Sequence, residues 1–160
     1  MIREVQGDIL LSKAEVIAHG IAVNDDFKQG LALSLRERWP SLYKDFRHFC
    51  HVKAPKEGDT WTWRGPGSAA IVNLFTQHPP RSAGDHPGQA SLVAVSHALK
   101  GLAREVRENG YKSIAITKVA TGVGGLPWAD VRPLIDQHLK DLGVPVYLYS
   151  TYIKDRSGEA

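Results

Sequence analysis

Residues 115–131, AITKVATGVGGLPWADV, decide the fold class of this chain of 160 residues. Together with Ile114 the first of them predict a short buried strand, the glycines after Thr121 predict a loop, and Trp128 begins a helical periodicity. Glycines let backbone amides approach an anion closely, and the start of the following helix adds the positive end of its dipole. The spacing is neither the Walker pattern nor GxGxxG, so a plain strand-to-helix turn stays an equal alternative.

The composition is that of one soluble domain. The chain is 42% hydrophobic and 23% charged, and its length is sufficient for a hydrophobic core. Cys50 is the single cysteine, which excludes an internal disulfide and a cysteine-based zinc cluster and fits a reducing cytoplasm. His48 and His51 flank it without a matching partner cluster, so no metal is predicted. Without a membrane-spanning apolar run or a signal peptide, we expect a cytoplasmic protein that contacts no membrane.

The net charge of +3 is spread among acidic residues rather than concentrated in one block. It favours phosphate-bearing ligands slightly, but there is no basic run with interleaved aromatic residues of the kind that a nucleic-acid groove needs. We therefore expect nucleic acid only as part of a modified substrate. A monomer is expected.

Strands and helices alternate along the chain. The apolar runs predict strands at 2–5, 16–22, 61–63, 70–75 and 146–149, and helices from Gly30 to a stop at Pro40, a shorter one through 42–49, one from Leu92 to a C-cap at Asn109-Gly110, and one from Trp128. This order predicts an α/β fold whose mostly parallel sheet has helices on both faces. Ligands collect at the C-terminal ends of such strands, where the loops 24–30, 76–88 and 121–125 are expected. Residues 154–160 are predicted to be a flexible tail after a domain at 1–153.

Four motifs in this order resemble the macrodomain, an α/β module that binds ADP-ribose. They are GDIL at 7–10, VIAH at 16–19 with GLA at 30–32, IVN at 71–73, and GVGGLPW at 122–128. The residues of these motifs are most similar to those of the branch that contains the DNA-ADP-ribosyl glycohydrolase antitoxins, the terminal ADP-ribose glycohydrolase and the ADP-ribose 1''-phosphate phosphatase. The resemblance implies a three-layer α/β/α fold with a mixed, mostly parallel central sheet, ADP-ribose or an ADP-ribosylated macromolecule as partner, and no cofactor.

The resemblance also implies a role for residues along the whole ligand. Asp8, beside the Ile9 backbone, would accept a hydrogen bond from the adenine amino group, and the amides of the glycine loop would wrap the diphosphate and distal ribose. A turn-capping Asp8 and a core His19 are the simpler alternatives. The implied ligand-binding set is Asp8, Ile9, His19, Gly30, Leu31, Ala32, Thr76, Gln77, Thr121, Gly122, Val123, Gly124, Gly125, Leu126, Tyr149 and Tyr152.

The loop after the second strand supplies the catalytic candidates. Asp25 or Asp26 would deprotonate a water near the distal ribose, with His78 as a possible helper, and a solvated turn is the alternative. Glycohydrolases of this branch use a lysine where this chain has Gln77, and glutamine forms no Schiff-base adduct. The sequence thus predicts either hydrolysis of an ADP-ribose derivative linked to protein, DNA or phosphate, or a non-catalytic ADP-ribose-binding module. A domain for another nucleotide would leave Asp8 without a role.

Overall fold

The computed structural model describes residues 1–79 and 88–159, which form a sheet with helices on both faces. Its strands are β1 (Ile2–Gly7), β2 (Val16–Ala22), β3 (Thr60–Trp63), β4 (Ala70–Gln77), β5 (Ile114–Thr117) and β6 (Val146–Tyr152). They lie in the order β1-β6-β5-β2-β4-β3, and every neighbouring pair is parallel except the antiparallel β3 and β4. The predicted α/β fold with a mixed, mostly parallel sheet is confirmed.

The central strands are buried on both faces because two helices pack against each face of the sheet. The helices are α1 (Gly30–Arg38), α2 (Pro40–Lys53), α3 (Leu92–Asn109) and α4 (Trp128–Leu139). Alternate residues of β2 enter different cores: Val16 packs with α3 and α4, whereas Ile17 packs with α1 and α2. This period of two explains why β2 and β4 appear as nearly continuous apolar runs in the sequence. No described helix is both long and apolar enough to cross a lipid bilayer.

Several of the predicted element boundaries are wrong. β1 and β6 run to Gly7 and Tyr152, beyond the predicted 2–5 and 146–149. The second helix, expected to be shorter than the first, has 14 residues against nine, because Pro40 starts it as well as following α1. Proline suits the first turn of a helix, where its missing N–H has no intrahelical partner. β4 extends two residues beyond the predicted 70–75 and places Thr76 and Gln77 on a strand. The predicted C-cap of α3 is confirmed, since Gly110 has a left-handed φ of 66° and its N–H donates to Val106 O.

The predicted long loop and tail are described only in part. Residues 80–87, with Arg81, Asp85 and His86, lie outside the described residues. At the other end, the segment after β6 lies against β1: the Ile153 N–H donates to Gly7 O at 3.1 Å, and the Asp8 N–H donates to Arg156 O at 2.7 Å. The predicted flexibility of 154–160 and the boundary at residue 153 stay predictions.

Candidate functional site

Two adjoining cavities form one cleft beside the C-terminal ends of the parallel strands. The first, the glycine-loop cavity, has about 400 Å³ and lies between the loop after β2 and the loop after β5. The second, the Asp8 cavity, has about 510 Å³ and lies between the end of β1 and the start of α1. Leu31 and Thr117 line both cavities, so an elongated ligand can occupy the two at once.

The loop after β5 presents free backbone amides to the glycine-loop cavity. Ala120 has a left-handed φ of 64°, and a Cβ on Gly124 would lie 2.6 Å from Ala120 O, so position 124 requires glycine. The amides of Gly125 and Leu126 donate to carbonyls inside the loop. The amides of 121–124 donate to no other described residue. Consecutive free amides in a tight turn form an anion-binding concavity. The first turn of α4, which the sequence also offered for an anion, contributes no residue to the lining.

Charged side chains of both signs surround the same cavity. Asp25, Asp26, Lys28 and Lys118 all line it. Burial raises the pKa of the Asp25 carboxyl, an effect that a hydrogen bond from the Phe27 amide opposes and the negative charge of Asp26 reinforces. A carboxylate with a raised pKa is a better proton acceptor than an ordinary one, which makes Asp25 suitable as a general base.

His19 is a neutral imidazole in the wall of the glycine-loop cavity. Its Nε2 lies 2.7 Å from Asn73 Oδ1, and the Asn73 amide nitrogen donates to Trp61 O and Ile71 O. An amide oxygen only accepts, so we assign the ring proton to Nε2. Burial lowers the pKa of His19 to about 4, with a partial offset from this hydrogen bond. The ring therefore carries no charge at pH 7, and its Nδ1 is a hydrogen-bond acceptor.

The Asp8 cavity combines an apolar wall with one carboxylate. Asp8 caps the short 3-10 turn Ile9–Leu11, where its Oδ1 accepts from the Leu10 amide at 3.0 Å. Its Oδ2 has no hydrogen-bond partner among the described residues. Tyr149 also lines this cavity; it is nearly buried and its hydroxyl donates to the Glu159 carboxylate, while Tyr152 is 69% exposed. The cavity thus offers aromatic rings and a free acceptor oxygen.

Comparison with known proteins identifies the fold that carries this cleft. The sequence profile of the Macro domain family matches residues 69–135, from β4 into α4. A DNA ADP-ribosyl glycohydrolase of Thermus aquaticus is 28% identical over 151 residues, which cover 93% of this chain and 41% of that protein. The solved macrodomain of Thermus aquaticus DarG has a TM-score of 0.80 at 27% identity and covers 94% of this chain and 98% of its own. The chain has the macrodomain fold.

Further relatives agree with this family. A DNA ADP-ribosyl glycohydrolase of Mycobacterium tuberculosis is 26% identical over 153 residues, covering 92% of this chain and 42% of that protein. Thermosipho africanus DarTG, solved in complex with ADP-ribose, shares the fold with a TM-score of 0.80 at 20% identity and covers 98% of this chain and 42% of its own. The macrodomain therefore spans about two fifths of the length of the curated relatives that it matches.

Most residues of the ligand-binding set that the sequence predicted do line the cleft of the macrodomain. They are Asp8, Ile9, His19, Gly30, Leu31, Ala32, Gln77, Gly122, Val123, Gly124, Tyr149 and Tyr152. Four others lie outside the lining. The Thr121 hydroxyl donates to Lys118 O, Gly125 and Leu126 close the loop, and Thr76 is fully buried with no hydrogen-bond partner for its Oγ1 among the described residues. Direct ligand contacts of all sixteen residues stay predictions.

The three catalytic candidates separate in the structure. Asp25 and Asp26 line the glycine-loop cavity, as their position after β2 predicted. His78 lies beyond the end of β4, outside the described lining of the cleft, where its side chain is 62% exposed and contacts the Glu57 carboxylate. Which of the three takes part in catalysis stays a prediction.

Sequence reasoning missed both lysines of the cleft. Lys118 immediately follows the last residue of β5, and its Nζ lies 5.0 Å from the centre of the Trp128 ring. Lys28 lies in the loop between β2 and α1. The rule that ligands bind at the carboxyl ends of parallel strands points to both positions, but the glycines beside Lys118 were the stronger pattern.

Proposed function

We propose that this macrodomain binds ADP-ribose along the cleft and hydrolyses the bond between an ADP-ribosyl group and DNA. One observation carries the proposal: a row of amides that donate to no described residue borders the same cavity as two aspartates, and this cavity adjoins the Asp8 cavity. Two anionic phosphates flanked by a nucleoside and a sugar match this order of features. The relatives are named DNA ADP-ribosyl glycohydrolases, which supports the choice of DNA as the modified macromolecule.

Each part of ADP-ribose has a counterpart in the cleft. Adenine would occupy the Asp8 cavity, where the free Oδ2 of Asp8 accepts from the exocyclic amine and Tyr152 covers the ring. The diphosphate would accept hydrogen bonds from the amides of 121–124. This arrangement brings the distal ribose against Asp25 and Asp26.

The reaction requires water to replace the DNA at C1'' of the distal ribose. Asp25 takes a proton from this water, the water oxygen bonds to C1'', and the C1''–DNA bond breaks with its electron pair going to the DNA, which then takes up a proton. The negative charge of Asp26 stabilises the positive charge that develops on the ribose ring as the bond breaks. The raised pKa of Asp25 supports its role as the base.

The proposal is tested first by binding and then by turnover. Calorimetry is expected to show ADP-ribose binding much tighter than binding of AMP, because AMP lacks the second phosphate and the distal ribose that would fill the glycine-loop cavity. An oligonucleotide with one ADP-ribosyl group should then release free ADP-ribose, and an ADP-ribosylated protein and ADP-ribose 1''-phosphate serve as competing substrates. Equal binding of AMP and ADP-ribose would contradict the placement of the ligand, and faster turnover of the protein or the phosphate would contradict DNA as the substrate.

Gln77 favours a second function, a non-catalytic module that only binds ADP-ribose. By its resemblance to the glycohydrolase branch, the chain has Gln77 where those enzymes use a lysine. Gln77 is 8% exposed, and its side-chain amide nitrogen donates to Gly88 O at 3.4 Å. The Gln77→Lys variant distinguishes the two functions. If the wild type binds ADP-ribose without turnover and Gln77→Lys gains turnover, the module is supported. If the wild type already hydrolyses the ADP-ribosylated oligonucleotide and the Asp25→Asn variant does not, the water mechanism is supported.

A further inference from the structure

A third cavity, here called the basic groove, lies at the edge of the sheet. It has about 420 Å³ and is bordered by α2, β3 and α3; its lining is Phe49, Lys53, Pro55, Gly58, Asp59, Thr60, His97, Lys100, Gly101 and Arg104. The backbone of this edge is joined to β4, since the Gly58 amide donates to Phe75 O and the Phe75 amide donates to Asp59 O. β4 continues to Gln77 in the wall of the glycine-loop cavity. The basic groove thus opens near the same end of the sheet as the cleft.

The charge of this groove is predominantly positive. Lys100 and Arg104 are exposed and lie one helical turn apart on the face of α3 that borders the groove, and Lys53 at the end of α2 faces them. None of the ion pairs between described residues involves these three side chains. Asp59 is the single acid of the lining, and its Oδ2 accepts from the Lys56 amide. Three cations that form no ion pair with a described residue leave an electrostatic site for an anion.

An aromatic surface accompanies these cations. Phe49 lines the groove and stacks on Trp61, with ring centres 5.0 Å apart and planes inclined by 17°. Gly101 allows α3 to lie close to β3, because a Cβ there would be 2.8 Å from Thr60 Cγ2. A groove in which lysines and an arginine follow one wall and an aromatic ring forms another is the arrangement that binds single-stranded nucleic acid.

We propose that the basic groove binds the phosphodiester backbone of a single DNA strand whose neighbouring nucleotide carries the ADP-ribosyl group in the cleft. This proposal rests on the proposed function, because it takes the DNA of that substrate as its ligand. The spacing of Lys100 and Arg104 suits successive phosphates. The Phe49 ring stacks on Trp61 and Phe75, and its part that lines the groove offers an apolar contact to an unpaired base. An acidic protein segment would use the cations but not the ring.

The test compares a groove variant with a variant of equal charge change elsewhere. The groove variant is Lys100→Glu/Arg104→Glu, and the control is Lys44→Glu/Lys140→Glu, two exposed lysines that line none of the three cavities described here. Binding of a fluorescein-labelled oligodeoxythymidylate of about 12 nucleotides is measured by anisotropy over a series of salt concentrations. ADP-ribose binding is measured by calorimetry on the same proteins, and their melting temperatures show that both variants fold.

The groove variant is expected to bind the oligonucleotide at least about 10-fold more weakly than the control. Its slope of log affinity against log salt should be shallower by about 1.4, since each lost phosphate contact removes roughly 0.7 for a single strand. ADP-ribose affinity should be the same in wild type, groove variant and control, because the cleft is unchanged.

Other outcomes overturn one proposal or the other. Equal losses in the groove variant and the control would mean that only overall charge matters. Tighter binding of a polyglutamate peptide than of the oligonucleotide would assign the groove to an acidic protein. Failure of the wild type to bind the oligonucleotide while it binds ADP-ribose would remove the groove proposal alone, whereas failure to bind ADP-ribose would contradict the proposed function.

Discussion

The two cavities of the cleft are built by different means. In the Asp8 cavity the important groups are side chains, and Asp8 is held by hydrogen bonds to Leu10 and to the segment after β6. In the glycine-loop cavity the proposed anion donors are backbone amides, and four charged side chains line the same cavity. The first cavity suits recognition of a flat nucleoside, whereas the second suits binding of phosphate and chemistry at a sugar. Side-chain and backbone changes should therefore have different effects on binding and turnover.

The largest expected effect is on turnover in the glycine-loop cavity. Asp25→Asn should lower kcat for the ADP-ribosylated oligonucleotide by about 1000-fold, within the range for a lost general base, while ADP-ribose affinity changes less than about threefold. Asp26→Asn is the matched control, and its loss of kcat should be smaller. Turnover and calorimetry together check this. A larger loss of kcat in Asp26→Asn would assign the base to Asp26, and a parallel loss of affinity in Asp25→Asn would make it a binding residue.

A backbone change in the same cavity should abolish binding. Gly124→Glu places a Cβ within 2.6 Å of Ala120 O and a negative charge beside the diphosphate, so the loop must move and ADP-ribose affinity should fall at least about 100-fold. Gly122→Ala is the control for folding, because nothing lies within 4 Å of its added Cβ. Calorimetry measures the affinity, and thermal melting shows whether each variant is folded. Unchanged affinity in Gly124→Glu would show that the diphosphate does not lie on this loop.

The buried His19 makes stability depend on pH. Its pKa is about 4 in the folded protein and 6.5 for an ordinary histidine, the value expected in the unfolded chain, so between these values the unfolded chain takes up a proton that the native one does not. Stability is therefore lost as pH falls from 6.5 towards 4, by about 2 kcal/mol at pH 5. Urea unfolding from pH 7 to pH 5 measures this loss, which His19→Gln should reduce. The exposed His51→Gln is the control and should retain the wild-type slope, and the same slope in His19→Gln would assign the pH effect to other groups.

The smallest effect is expected in the Asp8 cavity. Asp8→Asn keeps an oxygen for the Leu10 amide but removes the charge that accepts from the adenine amine, so ADP-ribose affinity should fall about 10-fold. Affinity for ribose 5-phosphate should be unchanged, because this ligand has no adenine. An equal loss of affinity for both ligands would show that the adenine does not bind at Asp8.

Local patterns predicted the strands and the loops between them well. The run Val16–Ala22 was located to the residue because a strand covered on both faces is apolar at successive positions. Pro40 and the end of β4 were placed less well, since proline fits both the end of one helix and the start of another, and polar Thr76 and Gln77 look like a loop.

The sequence by itself determined the order of the elements, the glycine loop and the Asp8 turn, because hydrophobic periodicity and the need for glycine act over a few neighbouring residues. Only the tertiary structure decided which distant side chains meet. Asn73, 54 positions away, accepts the hydrogen bond from His19 Nε2, and Lys53 lies with Lys100 and Arg104 in one groove although the sequence contains no basic run there. The physical reason is that burial, pKa and charge clustering depend on the packing of helices against the sheet, which places residues together regardless of their spacing in the chain.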